Sequence, residues 1–159
     1  MAKSYLIALC FYSILSYAYA DSWMVEGKVY CDSCRVEFET KLTQSLPGAT
    51  VRLECRERDN GTVTYTVEGI SDSKGSYHME VPGEHEDEIC EVKTVKSSRE
   101  DCGEPFKGNV RARILLTKNV GVLGRRRFAN PLGFMTKKPH TECNKVLEDM
   151  GFLPSEVEL

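Results

Sequence analysis

The sequence predicts an all-β domain: an antiparallel barrel or sandwich of about seven strands with one short C-terminal helix and three disulfides. Three observations carry this expectation. Apolar and polar residues alternate with a period of two in successive short stretches. Turn signals built from Gly, Pro, Asn and Asp separate those stretches. An even set of cysteines remains once the N-terminus is set aside.

That N-terminus comes first. Lys3 gives a short positive start, residues 6–15 are almost entirely apolar, and Ala18-Tyr19-Ala20 ends in an A-x-A pattern. This is the layout of a secretory signal peptide, residues 1–20, with cleavage after Ala20. No later run reaches the ~20 apolar residues of a spanning helix. Residues 21–159 are therefore expected to form one exported, monomeric domain without membrane insertion. Loss of Lys3 leaves 20 basic against 24 acidic residues, a net charge of about −4. That balance argues against general nucleic-acid binding, which needs a basic face to displace counterions. Of seven cysteines, Cys10 leaves with the signal peptide. The six that stay are Cys31, Cys34, Cys55, Cys90, Cys102 and Cys143. In an oxidising compartment they read as three disulfides, whose pairing spacing alone does not choose.

Residues 23–30 alternate, with Trp23, Val25 and Val29 on one face and Glu26 and Lys28 on the other, a strand that leads into Cys31 and Cys34. Pro47-Gly48 is a turn. Residues 49–56 alternate again, with Val51, Leu53 and Cys55 inward. Asp59-Asn60-Gly61 marks a hairpin, because Asn and Gly tolerate the positive φ of tight turns. The following strand, residues 62–68, puts Val63, Tyr65 and Val67 on one side. After the turn Ser73-Lys74-Gly75, Tyr77, Met79 and Val81 form the next inward row, and Pro82-Gly83 ends it. Residues 84–88 are an acidic, solvated loop around His85. Residues 89–95 are a strand carrying Cys90, and residues 97–108 a polar loop holding Cys102. Residues 109–116 alternate, with Val110, Ala112, Ile114 and Leu116 inward. Thr141 can cap a short helix on which Cys143, Val146, Leu147 and Met150 recur at helical spacing, with Gly151 as the stop.

No catalytic constellation emerges. Cys31-Asp32-Ser33-Cys34 has C-x-x-C spacing, and Arg35 could lower a thiol's pKa. A secreted thiol-disulfide or hydrolytic enzyme using Cys31 and Cys34 is the alternative this leaves open. Thioredoxin-type sites need alternating strands and helices, and four other cysteines favour structural bridging. Zinc would want a second close-spaced pair, so no metal and no cofactor are expected. His78, His85 and His140 fall in no ligand pattern and read as solvated surface. There is no G-x-S-x-G elbow and no phosphate-cradling glycine loop. A small-molecule carrier is a further alternative, although bulky inward residues such as Tyr65, Tyr77 and Met79 point to a filled interior. Asn60-Gly61-Thr62 is an N-x-T sequon at a hairpin tip, hence a candidate glycosylation site. Arg125-Arg126-Arg127 is a basic run read as a solvated loop, or as a patch for acidic cell-wall polysaccharide or an acidic partner.

Glu26-Gly27-Lys28-Val29-Tyr30-Cys31-Asp32-Ser33-Cys34-Arg35 resembles the signature of the olive (Ole e) pollen allergen family, also called the pollen allergen and extensin family, which runs E-G-x-V-Y-C-D-x-C-R. The resemblance continues through Pro47-Gly48-Ala49, Arg52-Leu53-Glu54-Cys55, Gly75-Ser76-Tyr77, Glu88-Ile89-Cys90-Glu91, Asn130-Pro131-Leu132-Gly133-Phe134 and Cys143. It implies a secreted plant protein, often of pollen, with a mostly antiparallel β-barrel-like fold. The family is linked to pollen hydration, germination and tube growth, contains many allergens and is not known for catalysis. It also implies the pairs Cys31–Cys102, Cys34–Cys143 and Cys55–Cys90. Some relatives carry their sequon late, where this chain has Asn119-Val120-Gly121, so Asn60 rests on its local sequon. The function expected is non-catalytic binding in the extracellular space or cell wall, to a receptor ectodomain or a wall component.

Overall fold

The computed structural model describes residues 22–108 and 110–152. The predicted signal peptide lies outside the described residues. The elements are β1 (Ser22–Asp32), β2 (Gln44–Ser45), β3 (Thr50–Glu57), β4 (Val63–Ile70), β5 (Ser76–Pro82), β6 (Glu88–Lys96), β7 (Glu104–Pro105), β8 (Ala112–Ile114), β9 (Arg126–Phe128), β10 (Leu132–Met135) and α1 (Cys143–Asp149).

They form two sheets that do not close into a barrel, so the sandwich alternative describes the chain. One sheet runs β4-β3-β6-β8 and is antiparallel throughout. The other is built around β1. Its first half pairs antiparallel with β5 and parallel with β9. Its second half pairs antiparallel with β2 and parallel with β10, which carries β7 at its far edge. The two parallel pairings depart from the purely antiparallel expectation. β9 and β10 belong to a region where the sequence showed no alternation. Leu132–Met135 is buried at every position, and a strand covered on both faces reads as a continuous apolar run rather than an alternating one.

The core lies between the sheets. Trp23, Val25, Val29 and Cys31 of β1 meet Val51, Leu53 and Cys55 of β3, Tyr77, Met79 and Val81 of β5, and Cys90 and Val92 of β6. These are the inward rows that period-two alternation assigns. Past Val29, β1 is buried on its second face too: Tyr30, Phe106 and Met135 form a small separate cluster there. The Tyr30 and Phe106 rings meet edge-on at 5.7 Å. The space between the sheets is occupied by large side chains, Trp23, Tyr77, Leu46, Leu53 and Leu116 among those fully buried.

Two local expectations change. The strand expected over residues 109–116 shrinks to Ala112–Ile114, and Val110 is 41% exposed because no partner strand reaches it. α1 begins after Glu142, which makes no side-chain cap bond, so Thr141 is not the cap. Cys143 and Val146 are its buried residues.

Disulfides join Cys31 to Cys102, Cys34 to Cys143 and Cys55 to Cys90, over sequence separations of 71, 109 and 35 residues. Closing loops this long removes unfolded-state entropy equivalent to about 4–5 kcal/mol per bridge as an upper figure. Total domain stability is typically ~5–15 kcal/mol. Reduction of the native protein is therefore expected to lower its thermal midpoint sharply or unfold it. A melt followed by circular dichroism with and without reductant checks this, and coincident curves would refute it.

Candidate functional site

The segment after β1 is folded around one carboxylate. Asp32 is fully buried. Its Oδ1 accepts the backbone N–H groups of Cys34 and Arg35 at 2.9 and 2.8 Å, and its Oδ2 those of Val36 and Glu37, both at 2.7 Å. Arg35 and Glu37 have φ of 60° and 64°. Non-glycine residues rarely adopt that region. Here it turns successive N–H groups inward into a nest that a negative charge fills.

The same turn gathers distant parts of the chain. Cys31 and Cys34 do not pair with each other; each is bonded to a far half-cystine. The Arg35 guanidinium forms a two-pronged pair with Glu104 of β7, at 2.6 and 2.7 Å, and also donates to the carbonyl of Thr136. The hydrogen bond from Arg35 holds the Glu104 carboxyl below its ordinary range. Ser33 accepts the N–H of His140 on its carbonyl, and Asp32 that of Thr136. Among the described residues, both sulfurs of the C-x-x-C segment are held in disulfides rather than as thiolates.

The basic run is not a uniformly solvated loop. Arg127 is buried. It donates to the carbonyls of Leu115, Thr117, Gly124 and Arg126 and lies 4.5 Å over the Trp23 ring. Arg125 sits over the same ring at 5.4 Å, and the indole N–H donates to Gly83 O at 3.0 Å. Four carbonyls and an aromatic face compensate for taking this cation out of water. Only Arg126, its side chain 74% exposed, faces solvent freely, 3.6 Å from Glu26.

His85 is also not solvated surface. It is buried, its Nδ1 2.7 Å from Glu88 Oε2 and its Nε2 3.1 Å from Pro82 O, with the Tyr65 ring alongside. His78 and His140 are exposed, as the sequence predicts. Asn60 is exposed at its hairpin tip, where its side chain donates to Glu57 and accepts the Thr62 N–H.

The outer face of β5-β1-β9 carries charged and aromatic side chains side by side. Glu26 is in register with His78 on one side and with Phe128 on the other. Phe128 is 72% exposed, an unusual position for a large aromatic side chain. Beside it lies a shallow groove of about 290 Å³ lined by Glu26, Gly27, Lys28, Ser76 and His78. In the segment leading to β9, Leu123 is almost completely exposed.

Residues 21–151 match the family model described as "Pollen protein Ole e 1 like". The chain belongs to the Ole e 1-like family. It is 51% identical to the Olee1-like protein of Betula pendula, covering 99% of each chain. It is 46% identical to the anther-specific protein LAT52 of Solanum lycopersicum, covering 98% of this chain and 99% of that one. Among solved structures, the major plantain pollen allergen Pla l 1 superposes with a TM-score of 0.70 at 35% identity, covering 77% of this chain and all of Pla l 1. The relatives are named as pollen allergens and pollen- or anther-specific proteins, not as enzymes.

Much of the Ole e 1-like motif now has a physical reason. Gly27 lies directly under the Tyr77 ring, whose hydroxyl occupies the place a Cβ would take. That hydroxyl is buried without a hydrogen-bond partner among the described residues, and burial pushes its pKa up. Val29 and Cys31 fill the core, Tyr30 the second cluster, and Asp32 the nest. Phe128 was not singled out in the sequence, where nothing marks it as exposed rather than buried.

Asp32→Asn is nearly isosteric but turns one acceptor oxygen into an NH₂ group facing two N–H donors. It is expected to cost about 2–4 kcal/mol, measured by denaturant unfolding; a loss within error of zero would remove the nest from this account. A second expectation concerns pH. Glu104 lies below its ordinary value because of Arg35, Asp72 because of the Ser76 and Lys74 N–H groups, and Glu54 because of Lys93. Depressed carboxylates stabilise the fold above their unfolded pKa, and that contribution is lost as pH falls through the folded one. The thermal midpoint should fall as pH drops below about 4, and by less in Arg35→Gln. Parallel pH profiles for the two proteins would contradict it.

Proposed function

We propose that this protein is a secreted, non-catalytic binding protein of the pollen extracellular space or cell wall, acting in pollen or reproductive-tissue growth by engaging a receptor ectodomain or a wall component. Residues 1–20 are its removable export signal, and Asn60 is its glycosylation site. The observation that carries the reading is the outward Phe128 on a disulfide-stapled sheet. An exposed aromatic side chain flanked by Glu26, His78 and Arg126 has the composition of a binding hot spot, an apolar anchor with a polar rim. A scaffold held by long-range disulfides loses little freedom on binding. Burial of Arg127 moves the expected basic patch away from the arginine run as a whole and onto Arg126 beside Phe128.

The test is binding of the oxidised mature chain to isolated receptor ectodomains and to wall polymers, by surface plasmon resonance at rising salt. Phe128→Ala should weaken the interaction roughly 30-fold, the size of a hot-spot truncation. Arg126→Gln should lower its salt dependence. Unchanged affinity in Phe128→Ala would show that this face is not the contact surface.

A further inference from the structure

A second cluster of chemistry lies at the other sheet, away from the outer β5-β1-β9 face. Cys55, His85, Glu88 and Cys90 bring one sulfur, nitrogen or oxygen donor each to within 4.8 Å of one another. Three of the four are buried and Glu88 is partly so. The two cysteines are directly opposite on β3 and β6, in register, and in this state form a disulfide. Soft thiolates, an imidazole and a carboxylate are the donor types that tetrahedral zinc sites use.

The imidazole is already oriented as a metal ligand is. Its Nε2 faces the Pro82 carbonyl at 3.1 Å, so that nitrogen is the N–H donor. This is the outer hydrogen bond that metal-bound histidines make to fix their tautomer. Nδ1 then points at Glu88 Oε2, 2.7 Å away.

We infer that reduction of Cys55–Cys90 converts this cluster into a zinc-type metal site, with Cys55, Cys90, His85 Nδ1 and Glu88 as its ligands. A dithiol reductant supplies two electrons to the S–S bond and becomes a disulfide. The two thiolates released bind the metal together with His85 Nδ1 and a Glu88 carboxylate oxygen. The two protons of the dithiol leave to solvent. Zinc places its ligand atoms about 3.3–3.8 Å apart, so the two sulfurs, 2.00 Å apart in the disulfide, must open by about 1.8 Å, while the most distant donors, within 4.8 Å of one another, close by no more than about 1.5 Å. The metal then takes over the link between β3 and β6 that the disulfide provided.

The probe is cobalt(II), which reports thiolate ligation by a near-ultraviolet charge-transfer band and tetrahedral geometry by visible bands. The mature protein is reduced by a water-soluble phosphine with cobalt present, while circular dichroism follows its fold. The expected result is one equivalent of cobalt bound with both bands, a β spectrum retained, and part of the thermal midpoint lost on reduction recovered. Cys55→Ser/Cys90→Ser should lose the charge-transfer band. His85→Ala, which leaves every cysteine in place, should bind cobalt at least about tenfold more weakly and recover no midpoint. Absence of the bands in the reduced wild type overturns the inference. So do bands unchanged in His85→Ala, or bands seen only with loss of the β spectrum, which would mark cobalt held by thiols of the unfolded chain.

Discussion

The buried carboxylate of Asp32 is the constraint on which the architecture turns. Four backbone N–H groups converge on it, and that convergence fixes a turn in which Cys31 and Cys34, three residues apart, face different parts of the molecule. One staples the strand to the polar loop before β7, the other to the terminal helix. Arg35 reaches from the same turn to β7 and to the end of β10. Without the nest the half-cystines would have no fixed direction, and short elements such as β2, β7 and α1 would have little to hold them. Two-residue strands and a seven-residue helix do not persist on their own.

The use of charge follows a similar logic. Arg127 and Asp32 are ionisable groups spent on the interior, each saturated by backbone groups of opposite polarity. Arg35 and Glu104 join elements at the surface. Glu26, His78 and Arg126 lie around Phe128 on one outer face. Interior polar groups specify the scaffold, and the scaffold displays the face.

Much of this was legible in the sequence. Alternation located the first half of β1, β3 and β5, where one face is buried and period-two patterning survives, and also β4, whose Tyr65 and Val67 are only partly buried. β10 escaped because Leu132–Met135 is covered on both sides. β9 escaped because Arg126 and Arg127 look alike as letters, and only the folded chain distinguishes the arginine under carbonyls from the one in water. His85 read as solvated for the same reason: its burial depends on Pro82, Glu88 and the Tyr65 ring, brought together by pairing and turn geometry rather than by any local pattern. Cysteine count gave three bridges but not their partners; the pairing followed from the family signature. Asp32 stood in plain view inside that signature, yet its role needs two left-handed residues that no propensity foretells.

The parallel pairing of β1 with β9 and β10 has a consequence for biogenesis. The strand that emerges first from the ribosome finds two of its neighbours about a hundred residues later. Such non-local topology folds slowly and leaves an unpaired apolar edge exposed meanwhile. A polypeptide wired this way completes its sheet only after nearly all of it has been released.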